Sequence, residues 1–319
     1  MSGGNVYDRR ASDGLRDLGW QVAMVEVGEG ADAASALRSM PDDALVLVDG
    51  LVAGWAPAAM VEAAGRLRLV VLAHMVVASF PDATEPAVEA ERRVLAAARG
   101  VIVPSRWAAA ELARRGLVPD QCVRIAVPGV DVPVHPAEPS GDGALLCVGV
   151  IAPHKGQDTL LDALAALPDV DWTCALVGAA DADPDFASEV AARAAALGER
   201  VQLLGVLDEA RLAALYRRSA LLVAPSRVET GGMAVAEARA HGLPVVGADT
   251  GGIADALADG GGILVAPDDP DALAAALRGW LCDPELRRRL RGEALAARAA
   301  LPRWSGTVAD IARALEAAA

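Results

Sequence analysis

The chain is 319 residues long, room for two domains of ordinary size, each with its own core. A formal net charge of -14 excludes nucleic acid as the expected partner, because binding a phosphate backbone needs a basic face. Hydrophobic residues make up 54% of the chain and aromatic ones only 3%, so the cores must be aliphatic and the helices rich in alanine.

Taken in order, Ser2-Gly3-Gly4-Asn5 reads as a glycine loop leading into a helix over 8–18. Such a loop ordinarily follows a strand, and here that first strand is expected to be missing. Either the true start lies upstream or the domain lacks an inner strand. Apolar runs of strand length then alternate with helical patterns. The runs fall at 21–27, 44–48, 69–73, 100–103 and 123–127, with helices at 31–39 and 85–98 among them. Regular alternation of this kind predicts a parallel sheet covered on both faces, in an α/β domain over 1–135.

Residues 128–143 contain four prolines and no period, which makes them the best linker candidate. Beyond them strands are predicted at 144–148, 173–177, 201–203, 221–224, 244–248 and 262–265. Helices at 158–167, 185–197, 209–218 and 271–281 separate them. The expectation is a second doubly wound domain over 136–302, with a cleft where the strand ends of the two domains face each other. No apolar run approaches the ~20 residues needed to span a bilayer and no signal peptide is visible, so the expected location is cytoplasmic. The four cysteines, Cys122, Cys147, Cys174 and Cys282, are far apart and predict buried free thiols.

Three glycine pairs precede helical patterns: Gly3-Gly4, Gly231-Gly232 and Gly251-Gly252. Helix N-termini present unpaired amides and a partial positive charge, so such turns bind phosphate; glycine also serves ordinary tight turns. Lys155 is the only lysine, in a chain whose other fixed positive charges are arginine, and it lies just past a strand end. An amine there can neutralise a departing diphosphate. Glu229 and Glu237 stand eight residues apart, a rise of about 12 Å if helical, and their carboxylates suit paired sugar hydroxyls. Their plain alternative is an exposed helix glutamate and a carboxylate at a helix N-terminus. His74 ends the run LVVLAH and should project from a strand end, as a site residue or a packed histidine. Asp181 and Asp183 mimic a metal-binding pair but fit a solvated loop before Pro184 better. No metal site is expected.

With these residues in hand, the sequence resembles family 4 of the retaining glycosyltransferases, the glycosyl transferases group 1. The resemblance rests on Glu229 and Glu237 in their seven-residue spacing, Ala238, Gly242 and Pro244, Pro225-Ser226, the Lys155-Gly156 loop, Gly205 before Asp208, Gly3-Gly4, and Val103-Pro104-Ser105. It implies the GT-B fold of two Rossmann-like domains, with an acceptor held mainly by the first and a nucleotide-sugar donor by the second. Glu229 would contact donor-sugar hydroxyls and Glu237 the ribose. Lys155 and the amides of Gly231, Gly232 and Met233 would stabilise the leaving diphosphate. His74 would lie near the donor sugar, and 204–207, ending at Leu207, would line the base pocket. The last helix, over 303–317, would pack back on the first domain. No cofactor or metal is implied, the acceptor is unknown, and peripheral association with the inner membrane face stays open. One departure stands out: Val150 occupies a position where the family usually carries arginine, and His154 beside Lys155 is the candidate to supply part of that charge. A non-catalytic nucleotide-sugar-binding protein is the alternative reading.

Overall fold

The computed structural model describes residues 3–119 and 122–319, which form two compact units. One comprises 3–129 with 302–319, the other 130–301.

In the first unit, α1 (Gly3–Asp17) and α2 (Ala31–Ser39) precede β1 (Leu45–Asp49). Then come α3 (Leu51–Trp55), α4 (Pro57–Ala64), β2 (Arg68–Leu72), α5 (Glu85–Ala97), β3 (Gly100–Val103), α6 (Arg106–Arg114) and β4 (Val123–Ile125). The strands lie in the order β1-β2-β3-β4, all parallel. Near-continuous Val and Leu in β2 and β3 suit strands covered on both faces, and Leu69, Val71, Val101 and Val103 are fully buried with Met60 and Leu112 around them. The closing helix α14 (Trp304–Ala318) belongs to this unit and packs along α1. Its Thr307 hydroxyl donates to Val127 O at 2.6 Å, and Tyr7 of α1 donates to Ala126 O at 2.8 Å.

Two expectations for this unit need correction. The predicted strand at 21–27 does not form. A strand exists only through a neighbour's hydrogen bonds, and the sheet ends at β1 without pairing this segment. Met24 and Val25 are each 55% exposed there. Gly3 and Gly4 are also not in a loop, because α1 begins at Gly3 and they form its first turn. The buried Tyr7, Ala11 and Leu15 on one face of α1 show packing carrying the helix back past the glycines.

The second unit runs β5 (Ala144–Val148), α7 (Gln157–Ala165), β6 (Thr173–Val177), α8 (Pro184–Ala196), β7 (Val201–Leu203), α9 (Glu209–Arg218) and β8 (Leu221–Ala224). It continues with α10 (Met233–Ala240), β9 (Val245–Ala248), α11 (Gly251–Ala256), β10 (Gly262–Val265), α12 (Pro270–Cys282) and α13 (Pro284–Ala297). Its parallel sheet has the order β10-β9-β8-β5-β6-β7. The chain thus builds outward from β5 on one side, returns, and builds outward from β8 on the other. The two loops leaving β5 and β8 flank the switch point, where open α/β sheets bind ligands.

Cys122, Cys147, Cys174 and Cys282 are all free. Contrary to expectation, Cys282 is exposed, because it ends α12 on a solvent-facing turn. Among the described residues no helix is long and apolar enough to cross a membrane.

Candidate functional site

The loop after β5 closes in a short 3-10 turn, Pro153–Lys155, and enters α7 through Gly156 at φ +66°. A Cβ at Gly156 would lie 2.2 Å from Pro225 O, so only glycine lets this loop approach the turn after β8. Arg227 then ties the two loops together. Its amide donates to His154 O at 2.8 Å and its guanidinium to Pro153 O at 2.6 Å. The same guanidinium grips both oxygens of Asp158, at 2.9 and 2.8 Å, and its Nε reaches Asp268 at 2.7 Å. Sequence reasoning missed all three residues; their only signal was charge, and the partners lie tens of residues apart.

So anchored, Lys155 Nζ donates to Glu229 Oε2 at 2.6 Å. Glu229 Oε1 accepts from Gly232 N at 3.1 Å. Burial pushes the Glu229 carboxyl up, but the Lys155 charge and hydrogen bond, with the amides of Gly232 and Gly231, outweigh it and hold it below the ordinary glutamate range. Beside the pair lies a recess of about 10 Å³, lined by both of them with Cys147, Gln157, Ser226 and Val235 among others, space for about one water. Gln157 donates to Val150 O at 2.8 Å, and its buried Oε1 has no partner. Burial pushes the Cys147 thiol up to about 12 despite Lys155 nearby, so it is an inert wall.

The second and third glycine pairs meet each other. Gly232, at φ +64°, caps α10, and a Cβ there would lie 2.7 Å from Gly252 O. Gly252 N donates to Glu229 O at 2.8 Å. Met233 opens α10, so its first amides point past Gly231 and Gly232 beside the Glu229 carboxylate. One α10 turn on, Glu237 accepts from the buried Tyr216 hydroxyl at 3.0 Å. Burial pushes the Glu237 carboxyl up, against the Tyr216 hydrogen bond. Tyr216 stacks on His241 at 5.2 Å, whose imidazole is held down to about 4 by burial and by Arg217 and Arg298. On the flank of α9, Leu204 and Leu207 line an open groove of about 280 Å³ with Arg211, Leu215 and Arg218. Asp183 caps α8, accepting from Phe186 N at 3.0 Å, as a loop carboxylate does.

His74 lies in the first unit, just past β2, with Nε2 2.8 Å from Asp8 Oδ1. Asp49, ending β1, joins them, and one ligand atom from each of the three lies within 4.8 Å of the others, close enough to share a cation. Gly3 and Gly4 stand on the same helix as Asp8, one to two turns earlier.

The profile of the family described as Glycosyl transferases group 1 matches residues 133–296. A D-inositol 3-phosphate glycosyltransferase of Jonesia denitrificans is 30% identical over 239 residues, 67% of this chain and 56% of that protein. One from Nocardiopsis dassonvillei is 31% identical over 262 residues, 73% of this chain and 60% of that protein. The chain thus spans little more than half the length of such relatives. Among solved structures, sucrose-phosphate synthase from Thermosynechococcus elongatus superposes with a TM-score of 0.82 at 22% identity, covering 98% of this chain and 92% of that one. Anabaena HepE in complex with UDP-glucose gives 0.72 at 23% identity, covering 89% and 81%. Two parallel-sheet units shared with these proteins make the fold GT-B.

Proposed function

The chain belongs to the glycosyl transferases group 1 family, and from its site we propose that it is a retaining, metal-independent glycosyltransferase moving a sugar from a nucleoside diphosphate sugar to an acceptor hydroxyl. The observation that carries this reading is the Lys155–Glu229 ion pair, 2.6 Å long, at the switch point of the sheet. In the reaction the bond from the anomeric carbon to the diphosphate oxygen breaks while the acceptor oxygen bonds to the same face. The hydroxyl proton passes to the departing phosphate oxygen, so no protein nucleophile is needed. Lys155 and the amides of Gly231, Gly232 and Met233 stabilise the charge that grows on the leaving group, an interaction that strengthens as the bond breaks. Glu229 accepts from sugar hydroxyls, Glu237 from the ribose, and Leu207 flanks the base. His154 supplies part of the charge that Val150 does not. In the first unit His74 is the candidate catalytic residue, and Gly3 and Gly4 are candidate donor contacts.

Ligand binding on this reading exchanges partners. The diphosphate recruits Lys155, and sugar hydroxyls replace it at Glu229, so neither charge is left alone in a half-buried recess.

UDP-glucose is the first donor to test, because HepE binds it, and D-inositol 3-phosphate the first acceptor, because the relatives' names specify it. Nucleotide release from a panel of UDP, GDP and ADP sugars, with and without EDTA, tests activity and metal need together; the anomeric coupling of the product tests retention. Val150 favours the one competing reading, a non-catalytic nucleotide-sugar-binding protein. Binding of a donor without release, with acceptors present, would establish it. Fractionation of cells would show whether the protein stays in the cytoplasm or collects at the inner membrane face.

A further inference from the structure

The geometry points to Asp8 as the positioning residue of His74, fixing the imidazole so that Nδ1 alone is offered, as an acceptor for a substrate hydroxyl. This rests on the reading of His74 as a site residue given above.

Three contacts hold the ring. Asp8 Oδ1 lies 2.8 Å from Nε2. Tyr7 presents its ring edge-on at 5.1 Å, and Tyr7 is itself fixed by its hydroxyl on Ala126 O and by Trp304 at 5.7 Å. The His74 amide donates to Leu72 O at 3.1 Å, setting the backbone at the strand end. A carboxylate only accepts, so the proton of the neutral ring sits on Nε2 and Nδ1 keeps a lone pair. Among the described residues Nδ1 has no hydrogen-bond partner, and the His74 side chain keeps 14% of its surface exposed. Asp49 completes the arrangement. Its carboxylate accepts from Leu51 N at 2.9 Å, lies within 4.8 Å of the other two groups, and is pushed up by burial, with the Asp8 charge adding to the rise. Two carboxylates beside one imidazole repel an anion from the open nitrogen. With the ring neutral, what Nδ1 can take is therefore a neutral O–H donor, and on a sugar or polyol substrate that group is a hydroxyl.

The sequence hid this pairing, since 66 residues separate Asp8 from His74. Asp8 belongs to α1 and His74 to the end of β2, and only the packing of α1 on the sheet brings them together.

The test has two arms. With histidines labelled by nitrogen-15, and the His74 signal identified by its loss in His74→Gln, the wild type should show Nε2 protonated, Nδ1 free, and a slowly exchanging Nε2 proton. Asp8→Ala should lose that protection, and Asp8→Asn, whose amide oxygen still accepts, should keep part of it. This arm stands even if no transfer is ever detected, so its failure is separate from failure of the transferase reading. In the kinetic arm, Asp8→Ala should lower kcat by up to ~100-fold, the cost of a misplaced group. Asp8→Ala added to His74→Gln should lower it no further, because the residue acts only through the ring. Unchanged exchange in Asp8→Ala, losses that multiply in the double variant, or disappearance of the Nε2 proton on adding Mn²⁺ or Zn²⁺ through coordination by the three groups would each overturn the assignment.

Discussion

The Cβ that Gly251 lacks would lie 1.6 Å from the carbonyl oxygen of Glu229. At φ +55° the position also favours glycine on conformational grounds alone. The turn opening α11 and the turn before α10 therefore share one tightly fitted backbone surface, and the Glu229 side chain is aimed by a residue it does not touch through its carboxylate. Gly251→Ala is expected to cost more than the ~1–2 kcal/mol of a left-handed alanine, because the backbone must also move apart. Donor affinity should fall with it. Thermal melting and titration with UDP check both; a variant with wild-type affinity would show that the Glu229 backbone is free to shift without consequence.

Lys155→Ala should leave Glu229 half-buried and charged without its partner. Removing one member of a fully buried ion pair costs about 3 kcal/mol or more, so a smaller loss is expected here, and losing the leaving-group cation costs about a hundredfold to a thousandfold in kcat. Glu229→Gln should also weaken donor binding, since its amide cannot replace a carboxylate facing hydroxyls. Near-normal turnover in Lys155→Ala would remove the lysine from the mechanism.

His241 makes stability depend on pH in a definite window. Its folded value is depressed from 6.5 to about 4 by burial, Arg217 and Arg298. The unfolded chain therefore takes up a proton in that interval and the native one does not. The stabilisation from the neutral ring is complete above 6.5, falls as the pH drops from 6.5 towards 4, and is gone below. With solvent screening allowed for, the effect is roughly 2 kcal/mol. Denaturant unfolding at a series of pH values should show this slope in the wild type and lose it in His241→Phe, which can still stack on Tyr216.

Both parallel sheets were legible in the sequence because most buried strands are short apolar runs between helical patterns, Lys155 because it is the only lysine and lies just past a strand end, and Glu229 because it stands beside a glycine pair eight residues before Glu237. What was not legible depended on neighbours. Residues 21–27 have a strand's composition, yet strand formation is a property of pairs, and this segment has no partner in the sheet. Gly3 and Gly4 look like loop residues, yet the buried face of α1 draws them into helix. The strand order that makes β5 and β8 neighbours, and so brings the Lys155 and Glu229 loops together, is likewise absent from any local pattern. Arg227 was invisible for the same reason: nothing in its surroundings in the chain announces Asp158 or Asp268.

Glu237→Gln should separate stability from function. Burial raises the folded pKa of this carboxyl, so its contribution is favourable below the ordinary glutamate value and is lost as the pH rises through the raised one. At neutral pH the charged form is a net cost that Tyr216 only partly offsets. The amide keeps an acceptor for the Tyr216 hydroxyl and removes the charge. A rise in melting temperature of about 2–4 °C, equivalent to ~1 kcal/mol in a unit of this size, is expected together with weaker donor binding. A fall in melting temperature would mean that the carboxylate charge is itself stabilising.

Arg227→Lys tests whether shape or charge holds the two site loops together. The guanidinium spans Asp158 with two parallel hydrogen bonds, reaches Asp268 through Nε, and still donates to Pro153 O. An ammonium is a point charge with three donors and cannot cover these partners at once. Burial raises the Asp158 carboxyl, but the Arg227 hydrogen bonds and charge prevail and hold it below the ordinary aspartate range. Its stabilisation is therefore present above that range and is lost as the pH falls through the depressed value. If shape matters, Arg227→Lys should lose about 1–3 kcal/mol, the worth of charged hydrogen bonds left unmade, and part of that acid-side dependence. UDP affinity should drop as well, since Pro153 and His154 anchor the turn carrying Lys155. If charge alone matters, the lysine variant should match the wild type in melting and affinity, while Arg227→Leu fails in both.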